Sequence, residues 1–148
     1  MSSADTLPLL IADIYEAAGV LRQRGDRIAA VADQTQARWQ VLSVLSDGDW
    51  TVPKIARRLG VTRQAVQRTA DHLSAEGMIE FEANPDHERS PLTRPTPAGI
   101  AALAAITVTA SDWNEVAATG LKPNDLKIAR TVIQALSAAA RADLPGPE

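Results

Sequence analysis

A mainly α fold carrying one small β-hairpin is what this sequence predicts. Three observations lead there. Apolar residues recur at helical spacing over most of the chain. One short segment, Met78-Ile79-Glu80-Phe81-Glu82, alternates with period two. Aromatic residues make up only 3% of a chain that is 45% hydrophobic, much of it alanine, so the core must be helix packed on helix. The 148 residues suffice for one compact domain with a real core, or for a small domain with helical extensions.

The elements follow in order. Leu7, Ile14, Leu21 and Ile28 recur every seven residues, which predicts a helix over 7–32, with a bend or fray where Gly19 and Gly25 weaken it. The stripe packs either on the chain's own core or across a dimer; the helix is long for this chain, which favours the dimer. Thr35 reads as the N-cap of a second helix bearing Trp39, Val41, Leu42 and Leu45, ended by the turn residues 46–49. Thr51 caps a third helix with Pro53 in its first turn, and Gly60 supplies the left-handed residue after it. Thr62 caps a fourth, which runs to about Glu76 and is ended by Gly77.

Strand 78–82 is followed by a polar loop from Asn84-Pro85-Asp86. Leu92-Thr93-Arg94 is the return strand, confined to a sheet edge by Pro91 and Pro95. Thr96-Pro97 starts a long helix over about 97–118, with Ile100, Leu103, Ile106, Ala110, Trp113 and Ala117 on one face. Gly120 breaks it. Pro123 opens a last helix with Leu126, Ala129, Val132, Ile133, Leu136 and Ala140, and the tail 144–148 is expected to fray.

Composition excludes several classes of function. Cys is absent, so disulfides, thiolate metal sites and cysteine redox sensing have no residue to use. His72 and His87 are the only histidines, too few for a transition-metal site. Neither a signal-peptide pattern nor an apolar run near the ~20 residues of a membrane span is present. A soluble, cytoplasmic protein without cofactor, metal or membrane partner is expected.

The net charge is −3, yet every charged residue between Lys54 and Arg68 is basic. An acidic chain with one basic helix pair has reserved that pair for a polyanion. In the helix after Thr62, Val66, Ala70 and Leu73 have inward spacing, which leaves Arg63, Gln64, Gln67, Arg68 and Asp71 outside. Arginine can donate two hydrogen bonds to guanine, and glutamine can pair with adenine in the DNA major groove. Thr62 and the helix N-terminus suit phosphate. Lys54, Arg57 and Arg58 on the preceding helix are backbone anchors, which position without specifying sequence. Ala56 is small where the two helices cross, and Leu59-Gly60-Val61 turns between them. This is a helix-turn-helix.

The hairpin extends it. Arg89, near the tip with His87, Glu88 and Ser90, either reaches a minor groove or pairs with Asp86 or Asp71. Arg94 is a weaker phosphate candidate.

These residues resemble the MarR (multiple antibiotic resistance regulator) family of winged helix-turn-helix regulators. The resemblance lies in residues 37–42, Ile55 to Leu73, Glu76-Gly77-Met78-Ile79-Glu80 and the run from Asn84 through Leu92 into Thr96-Pro97-Ala98-Gly99. It implies a winged helix-turn-helix lobe over 35–96 and a helical dimerisation region made of 1–34 and 97–148. It implies a homodimer interleaved through helices that carry Leu7, Ile14, Leu21, Val132 and Leu136, reading a pseudo-palindrome in double-stranded DNA. It also implies a small phenolic or lipophilic effector, for which Trp39 and Trp113 are pocket candidates as well as core residues. The wing departs from the family pattern: His87 stands where an acid is usual and Glu88 where a base is common. Pro95 replaces an apolar residue, so a shorter return strand is expected.

A sequence-specific transcriptional regulator, acting as a repressor, is therefore the leading function. A winged-helix protein-interaction module that does not read DNA is the alternative, and it predicts loss of the groove-facing basic residues, which are present. An enzyme ranks last: there is no nucleophile–base signature, glycine-rich phosphate loop or metal-ligand cluster, and hence no catalytic residue to assign.

Overall fold

The computed structural model describes residues 1–146; of the expected frayed tail, Pro147 and Glu148 lie outside the described residues. Six helices and a three-stranded antiparallel sheet follow one another as α1 (Ser3–Ala29), a short 3-10 turn (Ala30–Ala32), α2 (Gln36–Leu45), β1 (Trp50–Thr51), α3 (Val52–Leu59), α4 (Arg63–Ala75), β2 (Ile79–Glu82), β3 (Leu92–Pro95), α5 (Pro97–Ala117) and α6 (Pro123–Arg141). No helix among the described residues is long and apolar enough to cross a membrane.

α1 begins four residues before the expected start. Ser2 and Asp5 form a reciprocal cap: the Ser2 hydroxyl accepts from the Asp5 amide at 3.2 Å, and the Asp5 carboxylate accepts from the Ser2 amide at 2.9 Å. The Ser2 hydroxyl also donates to that carboxylate at 2.7 Å, and this bond, followed by the one from the Ser2 amide, holds the Asp5 carboxyl below its ordinary pKa. α1 runs through Gly19 and Gly25 without interruption. Gly25 is there for contact: a Cβ on it would lie 2.5 Å from Cγ of Gln36.

The caps expected at Thr35, Thr51, Thr62 and Thr96 all form, each hydroxyl accepting a backbone N–H three residues on. Gly60 (φ 68°) and Gly77 (φ 74°) take the left-handed conformation that ends α3 and α4.

Two apolar cores result. In the lobe, Leu42, Leu45, Ile55, Val66, Leu73 and Ile79 pack where α2, α3, α4 and β2 meet. In the second, Ile28 and Ala29 of α1 meet Ile106 and Ala110 of α5, with Trp39 and Trp113 against them. The inward face of α5 is not wholly the expected one. Gly99, Ala102, Ile106 and Ala110 are buried, whereas Ile100 is 59% exposed. Six residues is about 240° from Ile106 on a helix, so Ile100 points away from the row it was assigned to.

The sheet corrects the expectation most. Its order is β1-β3-β2, so β3 is the central strand rather than an edge, and Trp50–Thr51 is a third strand that the sequence did not announce. Pro95 does not shorten β3, which extends through it in register with Ile79. Proline is tolerated because β1 covers only Leu92 and Thr93; at Pro95 the strand again has one free edge. Thr93 is fully buried, and its hydroxyl donates to the Trp50 carbonyl at 2.6 Å.

Thr96 ties the wing to the lobe. Its hydroxyl donates to the Gly77 carbonyl at 2.5 Å and its amide to the Met78 carbonyl at 3.0 Å. The start of α5 is thereby fixed against the end of α4.

Candidate nucleic-acid interface

α3 packs against α4, and Ala56 of α3 is fully buried. The inward row Val66, Ala70 and Leu73 is buried, and this leaves Arg63, Gln64, Gln67, Arg68 and Asp71 exposed on α4. Thr62 caps that helix, so its free N–H groups and partial positive charge lie at the end bearing Arg63 and Gln64. The Gln67 amide is already engaged, donating from Nε2 to Asp71 Oδ1 at 2.8 Å.

Lys54, Arg57 and Arg58 are all exposed on α3, but they differ in surroundings. Lys54 sits 4.7 Å from the ring centroid of Trp50, a cation–π contact that steadies its ammonium. Arg58 lines a shallow groove with Asp47, Trp50 and Gln40, on the α2 side of α3.

Asn84 does more than open the polar loop of the wing: its side chain organises that loop. Its Nδ2 donates to the Ser90 carbonyl at 3.0 Å, and its Oδ1 accepts from the Asp86 amide at 3.1 Å. Arg89 is exposed beyond this turn and forms no ion pair among the described residues, so neither Asp86 nor Asp71 holds it.

Arg94, expected as a weaker phosphate contact, is engaged by carboxylates of its own chain. Its Nη2 lies 2.8 Å from Asp49 Oδ2 and 2.6 Å from Glu82 Oε2, and its Nε reaches Asp49 Oδ1 at 3.4 Å. The guanidinium beside Asp49 holds that carboxyl below the ordinary carboxylate value, and the two carboxylates raise Arg94 in return. A guanidinium shared by two carboxylates offers phosphate no net positive charge. Its partners, Asp49 and Glu82, are distant in sequence from Arg94 and from each other, and no local pattern marks them.

Trp39 and Trp113 are brought together. Both are half-buried, pack on the Ile28–Ile106 core and line one open cleft of about 480 Å³. Leu21 and Gly25 of α1 and Gly60 and Val61 also line it, together with polar groups including Arg22, Arg24 and Asn114, so the cleft runs from the N-terminal helix to the α3–α4 turn. Of the expected dimer residues, Leu7, Leu21 and Val132 are exposed, and Ile14 and Leu136 are half-buried.

The comparisons with known proteins agree with this layout. Residues 33–90 match the MarR family. An uncharacterized protein of Mycobacterium tuberculosis is 45% identical over 142 residues, which cover 96% of this chain and 99% of that protein. The fold is similar to the crystal structure of a MarR family transcription regulator, with a TM-score of 0.78 at 23% identity over 95% of this chain and 96% of that one. It is similar also to a mutant MarR from E. coli complexed with operator DNA, with a TM-score of 0.77 at 18% identity over 92% and 99% of the two chains. Residues 33–90 belong to the MarR family, and the chain as a whole has the fold seen in a MarR family transcription regulator.

Proposed function

We propose that the chain is a sequence-specific, double-stranded-DNA-binding transcriptional repressor that works in the cytoplasm as a homodimer. The observation that carries this reading is the exposed face of α4. Arg63, Gln64, Gln67 and Arg68 stand on a helix whose opposite row is fully committed to the core. In the major groove that face offers guanine and adenine contacts. Lys54, Arg57, Arg58 and Thr62 serve as phosphate anchors, and Arg89 serves the minor groove.

Residues 35–96 form the DNA-binding lobe in this reading, and 1–34 with 97–148 the dimerisation region. What supports the second part is uncovered apolar surface. Leu21 is 51% and Val132 42% exposed, and no residue of α6 is buried although the helix is amphipathic. Uncovered apolar faces of this kind need a partner. The partner subunit's helices would cover them, and two copies of α4 would then read half-sites about one helical turn apart.

The Trp39–Trp113 cleft takes a small phenolic or lipophilic molecule. Because Gly60 and Val61 form part of its wall, a ligand there acts directly on the turn that orients α4. A ligand that prefers a dimer with wrongly spaced reading helices weakens DNA binding by its differential affinity for that state.

Fluorescence anisotropy with the duplex lying next to the gene, compared with random duplex over a range of salt, tests the function. Tighter binding to the first at every salt concentration is expected. Equal affinities refute sequence-specific regulation at that site. Sedimentation at micromolar concentration tests the dimer, and a stable monomer contradicts it.

A further inference from the structure

The chain passes from α1 to α2 through a sharp reversal, with Asp33 in the left-handed conformation (φ 56°). Gln34 follows and is only 5% exposed. Its Nε2 donates to the Ala32 carbonyl at 3.2 Å and to Glu76 Oε2 at 3.3 Å. The other oxygen of Glu76 accepts from Arg38 Nη1 at 2.8 Å. Glu76 is the C-cap of α4. One carboxylate at the end of the reading helix is therefore gripped by two side chains from the α1–α2 junction, 38 and 42 residues earlier. Asp26 of α1 completes the joint by accepting from the Gln36 amide, the first of α2, at 2.8 Å.

Gln34 holds this place at a cost. Its Oε1 is buried and has no partner among the described residues. A buried amide oxygen left unpaired destabilises the fold, and an apolar side chain of similar size would avoid that. What the amide supplies and an apolar group cannot is a directed bond to Glu76.

We propose that Glu76 is a positioning residue: gripped by Arg38 and Gln34, it fixes the angle of α4 against the dimer helices and so sets the half-site spacing the dimer accepts. The inference rests on the dimeric DNA-reading function proposed above. One added base pair moves a half-site by about 3.4 Å and turns it by about 34°. A stiff joint rejects that displacement and a loosened joint follows it. None of the three residues belongs to the face of α4 that reads bases.

The test starts from a duplex selected by the wild-type protein from a random library. One or two base pairs are then inserted or deleted at its centre. Affinities are measured by anisotropy for wild type, Glu76→Ala, Arg38→Ala, the double variant and Gln34→Met, with a thermal melt of each. Wild type should lose roughly tenfold in affinity per changed base pair, a loss within the range of a mismatched position. Glu76→Ala and Arg38→Ala should lose only about threefold, and the double variant should be no more tolerant than either single one, as expected of coupled groups. Gln34→Met should melt at the same or a higher temperature and still lose spacing discrimination. A merely structural role does not move those two readouts apart, and this variant decides the matter if Glu76→Ala does not fold. Variants that keep the wild-type spacing profile overturn the inference while leaving DNA reading intact. A wild-type protein that selects no duplex, or ignores spacing, overturns the dimeric reading itself and this inference with it.

Discussion

Arg141 Nη2 donates a hydrogen bond to the backbone carbonyl of Arg57 at 3.2 Å, joining the last turn of α6 to the last turn of α3 across 84 residues of sequence. A cation at a helix C-terminus meets the negative end of the helix dipole, so the contact is favourable beyond the single bond. It is also well placed, because the α3–α4 turn at Gly60 begins three residues later. Replacing Arg141 with Ala should speed amide hydrogen exchange at Gly60 and Val61 several-fold and leave the buried Leu73 amide unchanged. Uniform acceleration across the lobe would instead mean global destabilisation and no local latch.

Thr93 carries the attachment of β1. Its hydroxyl is fully buried and bonded to the Trp50 carbonyl. Thr93→Val keeps the shape and leaves that carbonyl without its side-chain donor. A loss of about 1–3 kcal/mol is expected in urea unfolding, and the Lys54–Trp50 contact should loosen with it. An unchanged midpoint would show that the hydroxyl is dispensable.

Two glycines should respond differently to alanine. A Cβ on Gly99 runs into the Met78 carbonyl oxygen, a backbone atom that the Thr96 amide already holds in place. Gly99→Ala should cost about 2–3 kcal/mol, the range of an overpacked core. At Gly25 the obstacles are Cγ and Cβ of Gln36, at 2.5 and 3.0 Å from the added atom. Cγ can turn aside, but Cβ moves only with the backbone of α2, so the gain of about 1 kcal/mol in helix propensity offsets the clash only in part. Gly25→Ala should therefore destabilise, but less than Gly99→Ala. An equal or larger loss at Gly25 would contradict this distinction.

The Asp49–Arg94–Glu82 contact makes the base of the wing sensitive to acid. The folded-state pKa of Asp49 is depressed, chiefly by its hydrogen bond to Arg94. Its contribution is then present above the ordinary carboxylate value and is lost as pH falls through the lowered, folded-state value. Carbon-detected NMR should find Asp49 titrating below an ordinary aspartate, and Arg94→Gln should return it to the usual range. An Asp49 titration that ignores Arg94→Gln would remove the ion pair as the cause.

Arg63 and Lys54 should divide the DNA contact between them. Arg63→Ala should reduce the ratio of specific to random-duplex affinity, by about 1–3 kcal/mol if it reads one base pair bidentately. Lys54→Ala should weaken every duplex alike and reduce the salt slope by about 1. Equal effects on the ratio would merge the two roles.

Much of this architecture was legible in the residues alone. Thr35, Thr51, Thr62 and Thr96 announce four helix starts, and Gly60 and Gly77 two helix ends, because caps and left-handed turns depend on neighbours within a few residues. The Val66–Ala70–Leu73 row marks which face of α4 is buried and therefore which is free. The Ser2–Asp5 cap was also there to be read, as a serine followed three residues later by an acid.

What escaped sequence reading depends on segments that meet only after folding. Trp50–Thr51 becomes a strand because β3 lies beside it, and two residues carry no alternation of their own. Arg94 looks like one more cation until Asp49 and Glu82 close on it. Arg38 and Glu76 are unremarkable singly and become a joint only when α2 lies against the end of α4. The sequence by itself determined the helices, their caps and the face α4 turns outward, since hydrophobic spacing and local hydrogen bonding act within a turn or two of chain. Only the tertiary structure decided the strand order, which charges are free and which are spent on each other, because those follow from through-space contacts that no local spacing encodes.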